Sequence, residues 1–129
     1  MASFTVTKTN VGLNLWRDGE AGANNPQITY VALGNSTNAP TAGDTTLGNE
    51  TFRKQVTTQT NGATGEILIT MYLGPNDDIG ADIEEVGFFG GSTATSTPNT
   101  GILVAHGLWS HNPKANTESI TFTLDTTFS

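Results

Sequence analysis

Short runs in which apolar and polar residues alternate dominate the chain. In residues 66–73 the side chains on one face of an extended chain are all apolar: Ile67, Ile69, Met71 and Leu73. The other face carries Leu68, Thr70 and Tyr72, and residues 120–124 also alternate without a break. A period of two residues is typical of a β-strand with one buried face. The pattern predicts about seven strands, at 3–7, 28–33, 51–58, 66–73, 83–89, 102–109 and 120–124.

Turn-forming residues separate these runs. The segment Asn61-Gly62-Ala63-Thr64-Gly65 predicts a hairpin loop between the strands at 51–58 and 66–73. Pro75 ends the strand before it, because proline cannot donate to a strand ladder, and small residues fill a loop at 90–101. Strands and turns at this density predict an all-β fold, an antiparallel β-sandwich or small barrel, as a single domain over residues 1–129.

One segment near the N-terminus departs from the β pattern and predicts a short helix. Thr9-Asn10 supplies an N-cap, and Gly19 or Gly22 would end the helix. The apolar residues that share one side at helical spacing are Val11, Leu15 and Trp16. The segment that would follow the second strand, residues 34–48, is long for a loop, and such loops often carry contacts or function.

Composition narrows the classes of partner. Charged residues make up only 13% of the chain, against about 25% in an ordinary soluble domain, so Thr, Asn, Ser and Gly must supply most of the polar surface. Five basic and twelve acidic residues leave a net charge of −7, which disfavours nucleic acid and anionic membranes. Without cysteine there is no disulfide or thiol chemistry. No apolar run has the length of a signal peptide or membrane span, so we expect synthesis in a cytoplasm without export.

The residues that could carry chemistry do not form a recognisable catalytic motif. His106 falls within a predicted strand, as a satisfied or half-exposed histidine, and His111 lies beside Asn112-Pro113, as an exposed turn residue. A hydrolytic site needs a nucleophile, a base and an orienting group, and no such pattern surrounds either histidine. We therefore expect no enzymatic activity, no catalytic residues and no cofactor.

Acidic residues cluster before and within the strand at 83–89. Clustered carboxylates can bind Ca²⁺, which makes Asp77, Asp78 and Asp82 candidate calcium ligands, although their spacing does not match an EF-hand loop. The alternative is a solvated turn that leads into a strand, with Glu84 or Glu85 paired to a basic side chain.

Large aromatic residues are the candidates for an interface. Phe88 and Phe89 are consecutive, so on a strand they point to opposite faces. One of them enters the core, and the other is either covered by a loop or buried against another subunit. Trp16 and Trp109 are further interface candidates. If their rings were exposed on one face, they would instead favour a carbohydrate-binding module.

Several segments resemble structural proteins of tailed bacteriophages. The pattern begins with Ile28-Thr29-Tyr30-Val31-Ala32-Leu33-Gly34 and continues through Ala39-Pro40, residues 44–50 and Phe52-Arg53-Lys54. It is similar to the N-terminal tail-collar part of tail fibres. Residues 83–89 and 101–105 resemble later strands of small virion proteins, so that the similarity extends roughly from residue 10 to 124. A fibre would continue into a shaft, and its absence favours a small separate subunit.

The resemblance implies a non-enzymatic structural protein located in the virion and made in the host cytoplasm. The Leu47 side chain would pack into the core, and Glu50 would hold the loop at residues 34–48 in place through an ion pair with Arg53 or Lys54. Its partners would be copies of itself, as a trimer or higher oligomer, and other virion proteins. It would be a tail, collar or baseplate component that binds the tail, or a capsid decoration protein that binds the major capsid protein. The N-terminal residues 1–8 and C-terminal residues 120–129 could be extended arms that add a strand to a neighbour.

Overall fold

The computed structural model describes residues 4–127, which form eight strands and one helix. The strands are β1 (Thr7–Lys8), β2 (Ile28–Gly34), β3 (Glu50–Gln55), β4 (Thr58–Asn61), β5 (Glu66–Leu73), β6 (Ile83–Gly90), β7 (Ile102–His111) and β8 (Ile120–Thr127). Helix α1 spans Asn10–Glu20. The first predicted strand, residues 3–7, lies partly outside the described residues, and its pairing begins only at Thr7.

The strands form two antiparallel sheets, which confirms the predicted all-β, sandwich-like fold. The larger sheet has the order β1-β7-β6-β2-β3 and the smaller one β4-β5-β8. Alternation in β5 and β8 places their apolar residues in the core between the sheets, opposite Val31, Val86 and Phe88 of the larger sheet. Burial of these side chains, each worth about 1.5–3 kcal/mol, holds the two layers together.

The predicted strand at 51–58 is wrong in one respect, because the chain changes sheets within it. β3 ends at Gln55 in the larger sheet, and β4 begins at Thr58 in the smaller one. Between them the Val56 amide donates to Thr29 O at 2.8 Å, and the Thr57 amide donates to Thr70 O at 2.7 Å. The two amides thus bond to different sheets. The hairpin predicted at residues 61–65 connects β4 to β5.

Helix α1 begins at the predicted N-cap. The Thr9 hydroxyl accepts a hydrogen bond from the Gly12 amide at 3.0 Å, while the Thr9 amide donates to Val104 O of β7 at 3.0 Å. Leu15 is buried. A Cβ at Gly12 would lie 2.7 Å from Val104 Cα, so only glycine permits the helix to approach β7 this closely. The helix ends at Glu20, between the two glycines expected to end it.

The outer face of the larger sheet is also buried, and of the two alternatives for the second phenylalanine, a covering loop or another subunit, the structure shows the loop. Phe88 lies in the core between the sheets, whereas Phe89 belongs to a second cluster on the outer face, with Ala32, Leu47 and Leu103. Leu47 comes from residues 35–49, the segment between β2 and β3, which we call the outer cover. Both phenylalanines are 0% exposed. The chain itself thus buries both side chains, and neither offers exposed surface to a partner.

Parts of both predicted terminal arms are strands of the domain. Thr7–Lys8 pairs with β7, and β8 pairs with β5 along all eight of its residues. Residues 1–3 and 128–129 of the predicted arms lie outside the described residues.

Candidate functional site

Glu85 anchors the outer cover to the sheet. Its carboxylate is buried on β6 and accepts hydrogen bonds from three backbone amides, those of Ser36 at 3.0 Å, Gly48 at 2.8 Å and Asn49 at 2.9 Å. Bonds to an ionised acceptor are roughly twice as strong as neutral ones. One side chain thus ties both ends of the cover to the middle of the sheet.

The expected pairing of Glu84 or Glu85 with a basic residue is wrong. Glu85 has backbone donors instead, and the Glu84 carboxylate accepts hydrogen bonds from Ser110 and Asn112. The sequence signal for the role of Glu85 is its place in the apolar run at 83–89, because a carboxylate at a buried strand position requires donors.

A buried ion pair fixes the β6–β7 loop, residues 91–101, against β3. Arg53 Nε lies 2.7 Å from Glu50 Oε2, and both side chains are at most 1% exposed. Arg53 Nη1 also donates to the carbonyls of Thr95 and Thr100, and the guanidinium carbon lies 4.4 Å from the centre of the Phe89 ring. Such a pair specifies geometry more than it adds stability, because desolvation offsets much of the attraction.

Of the two basic residues considered for Glu50, only Arg53 pairs with it. Lys54 Nζ lies 2.7 Å from Asp77 Oδ2 and also donates to Tyr72 O. Because Lys54 joins β3 to the segment after β5, it helps to hold the two sheets together at this edge.

His106 contacts the outer cover. Its Nε2 lies 2.9 Å from Asp44 Oδ2, an ion-pair distance, and this buried nitrogen has no hydrogen-bond partner among residues 4–127. The pKa of Asp44 is lowered, chiefly by hydrogen bonds from the Thr41 amide and hydroxyl, with a smaller contribution from His106. The expected strand histidine is thus buried, in contact with the cover.

His111 is not the exposed turn residue that was expected. It ends β7, half-buried, with Nε2 2.8 Å from Glu118 Oε1. Its ring stacks on Trp109 at a centroid distance of 5.3 Å, and Trp109 in turn packs edge-on against Phe122 of the core. Trp109 is therefore held mainly by its own chain, and its role as an interface residue remains a prediction.

The candidate calcium ligands do not converge. Asp77 is paired with Lys54, and that hydrogen bond is the main cause of its lowered pKa. Burial raises the pKa of Asp78, whose Oδ2 has no hydrogen-bond partner in the described part of the chain, whereas Asp82 is exposed. Within residues 4–127 no three acidic or histidine side chains are grouped so that they could hold a metal ion.

An apolar cavity of about 300 Å³ opens between helix α1 and the smaller sheet, and we call it the end cleft. Its walls are mainly aliphatic, with Leu13 and Leu15 from the helix and Ile67 and Ile69 from β5. Leu13 is 50% exposed at this cavity, and Trp16 also lines it. A neighbouring space of about 210 Å³ beside β8 shares Lys8, Ile28, Val104 and Thr126 with the cleft.

β8 is the longest of the edge strands among the described residues. It has eight residues, keeps one register throughout, and within residues 4–127 pairs only with β5. The other edge strands have two, six and four residues (β1, β3 and β4), and β3 carries the charged side chains of Glu50, Arg53 and Lys54. Asp125 is the only charged residue of β8.

No protein-family model, curated protein or solved structure matches the chain. No helix within residues 4–127 is long and apolar enough to cross a membrane.

Proposed function

We propose that the protein is a non-enzymatic structural subunit of a tailed bacteriophage particle that joins its neighbours through the edge of β8. The resemblance of residues 28–54 to tail-collar segments suggests a tail, collar or baseplate component. A decoration protein on the capsid is the alternative placement. The open edge of β8 is the observation that carries the assembly role.

Unpaired strand edges bind other strands, and proteins that remain monomeric usually shield them with charge, proline, bulges or short length. β8 has none of these features apart from Asp125. Its outward side chains, Thr121 and Thr123, are small and neutral. An added strand would find a row of backbone donors and acceptors, the arrangement by which β-augmentation generates affinity.

The rest of the surface supports the same proposal. The outer cover and the β6–β7 loop are each secured to the larger sheet by buried charged groups, Glu85 and the Glu50–Arg53 pair. A subunit that binds through shape needs surface loops that keep one conformation, because ordering them on binding would cost affinity. With a net charge of −7 and few charged residues, binding through neutral backbone and apolar groups is favoured.

The assembly role is tested by charging one edge of the smaller sheet at a time. Thr121→Lys with Thr123→Lys places two lysines on β8, and Thr58→Lys with Thr60→Lys places two on β4 of the same sheet. Both double variants change the net charge equally. Light scattering should give an oligomer of the 13.5 kDa chain for the wild type and the β4 variant, and a monomer for the β8 variant. A wild type that stays monomeric at every concentration would contradict the proposal.

The placement is tested on virus particles from cells that express the gene. Gold-labelled antibodies against the chain should mark the tail, collar or baseplate. Label on the capsid shell would favour the decoration role, and particles without label would contradict a virion role altogether.

A further inference from the structure

We propose that the end cleft is a binding site for an apolar chain that ends in a carboxylate, such as a medium-chain fatty acid. This site lies between α1 and the smaller sheet, and the adjoining space reaches the end of β8 at Leu124 and Asp125. The inference does not depend on the virion role.

The size of the cleft fits such a ligand. A cavity of about 150 Å³ is sufficient for benzene, so the cleft, at about 300 Å³, has room for a chain of roughly ten to twelve carbon atoms. Ligand sites in proteins begin at about this volume. The adjoining space of about 210 Å³ offers room at the same corner for a polar end and its water.

The walls of the cleft are suited to an aliphatic chain. Leu15, Ile28 and Ile69 are buried, and Val104 forms part of both spaces. Gln59, a polar residue of the wall, already uses its amide nitrogen to donate to Ile28 O at 2.8 Å. The wall therefore offers mainly apolar contacts, whose strength grows with the buried area of the ligand.

Lys8 supplies the complementary charge. It lines both the cleft and the adjoining space, it is exposed, and no described residue forms an ion pair or hydrogen bond with its ammonium group. Every other lysine or arginine of the chain has such a partner: Arg17 with Asp18, Arg53 with Glu50, Lys54 with Asp77, and Lys114 with two carbonyls. An ammonium group at the mouth of an apolar cavity selects a ligand with an anionic end.

Asp125 is the competing charge, since it lines the adjoining space. Its carboxyl group lies beside that of Glu66, and the interaction between the two carboxyl groups raises the pKa of Asp125. If Asp125 rather than Lys8 controlled the polar end, the cleft would prefer an amine. Head-group preference therefore distinguishes the two residues.

The test measures ligand binding with Trp16 as the reporter. The chain has two tryptophans, so Trp109→Phe leaves Trp16, which lines the cleft, as the only one. Hexanoate, octanoate and decanoate are titrated below the concentrations at which they form micelles. Each pair of added methylene groups should tighten binding roughly tenfold. Decanoate should bind more tightly than decanol or decylamine, and Lys8→Gln should remove this preference with a loss of about two- to fivefold.

Two exposed leucines provide a matched control. Leu13→Asp puts a carboxylate beside the cleft and should abolish decanoate binding measured by calorimetry, whereas Leu108→Asp on β7, which does not line the cleft, should leave it unchanged. Absence of binding to the wild type, equal binding to the two variants, or a preference for decylamine would overturn the proposal. The proposal would also be overturned if the wild type did not bind decanoate and the Leu13→Asp variant had a lower oligomer mass than the wild type. The cleft would then be a protein interface.

Discussion

Replacement of Glu85 by glutamine tests whether one buried carboxylate holds the outer cover in place. A glutamine retains one acceptor oxygen, which can serve the amides of Ser36 and Asn49, but its NH₂ group would then face the Gly48 amide. An amide left without an acceptor costs about 1–3 kcal/mol, and loss of the negative charge weakens the other two bonds by about 1 kcal/mol each. Because a buried charge is also removed, we expect a net loss of about 2–4 kcal/mol.

Thermal unfolding followed by circular dichroism measures this loss. For a chain of this length it corresponds to a Tm lower by roughly 6–16 °C. Glu84→Gln is the matched control, since the neighbouring carboxylate is only half-buried and bonds to side chains, and its Tm should change by less than about 2 °C. Hydrogen exchange of the Gly48 amide should be faster in Glu85→Gln than in the wild type, and unchanged in Glu84→Gln. Equal Tm values for the two variants would refute the anchoring role of Glu85.

Three further changes test other parts of the structure. Arg53→Met leaves the Glu50 carboxylate buried without a countercharge and should cost about 3–5 kcal/mol in urea unfolding, whereas adding Glu50→Gln should recover part of that loss. Because burial raises the pKa of Asp78, its ionised form destabilises the fold above the ordinary value of 3.8, so Asp78→Asn should raise Tm at pH 7 but not at pH 3. The pKa of Asp77 is lowered, chiefly by the hydrogen bond from Lys54. The ionised carboxylate therefore stabilises the fold above pH 3.8, and this stabilisation is lost as the pH falls further. In Asp77→Asn the free energy of unfolding should accordingly change less with pH in the acid range.

Local patterns predict those elements whose cause is local. The period of two in residues 66–73 and 120–124 corresponds to β5 and β8, and Thr9 caps α1 as its hydroxyl chemistry suggests. The exchange of sheets between Gln55 and Thr58 has no such signal. The same β-favouring residue types continue through the crossing, and only contacts with Thr29 and Thr70, distant in sequence, decide where each strand ends.

The burial of Phe89 shows why a site is harder to predict than a strand. Consecutive phenylalanines on β6 require that both faces of the sheet be covered, and this much follows from the alternation of side chains. Whether the cover is a partner or the chain itself depends on how Leu47 and the rest of the outer cover fold back over the sheet. The end cleft is equally non-local, because α1, β2 and the smaller sheet each supply part of its wall.

Hydrogen–deuterium exchange along β8 tests most directly the claim that this strand edge joins neighbouring subunits. The amides of residues 120–127 should exchange more slowly in concentrated protein, or in particles that contain it, than in the dilute chain, while those of β4 should exchange at the same rate in both. Equal exchange along β8 in the dilute and assembled protein would show that another surface makes the contact.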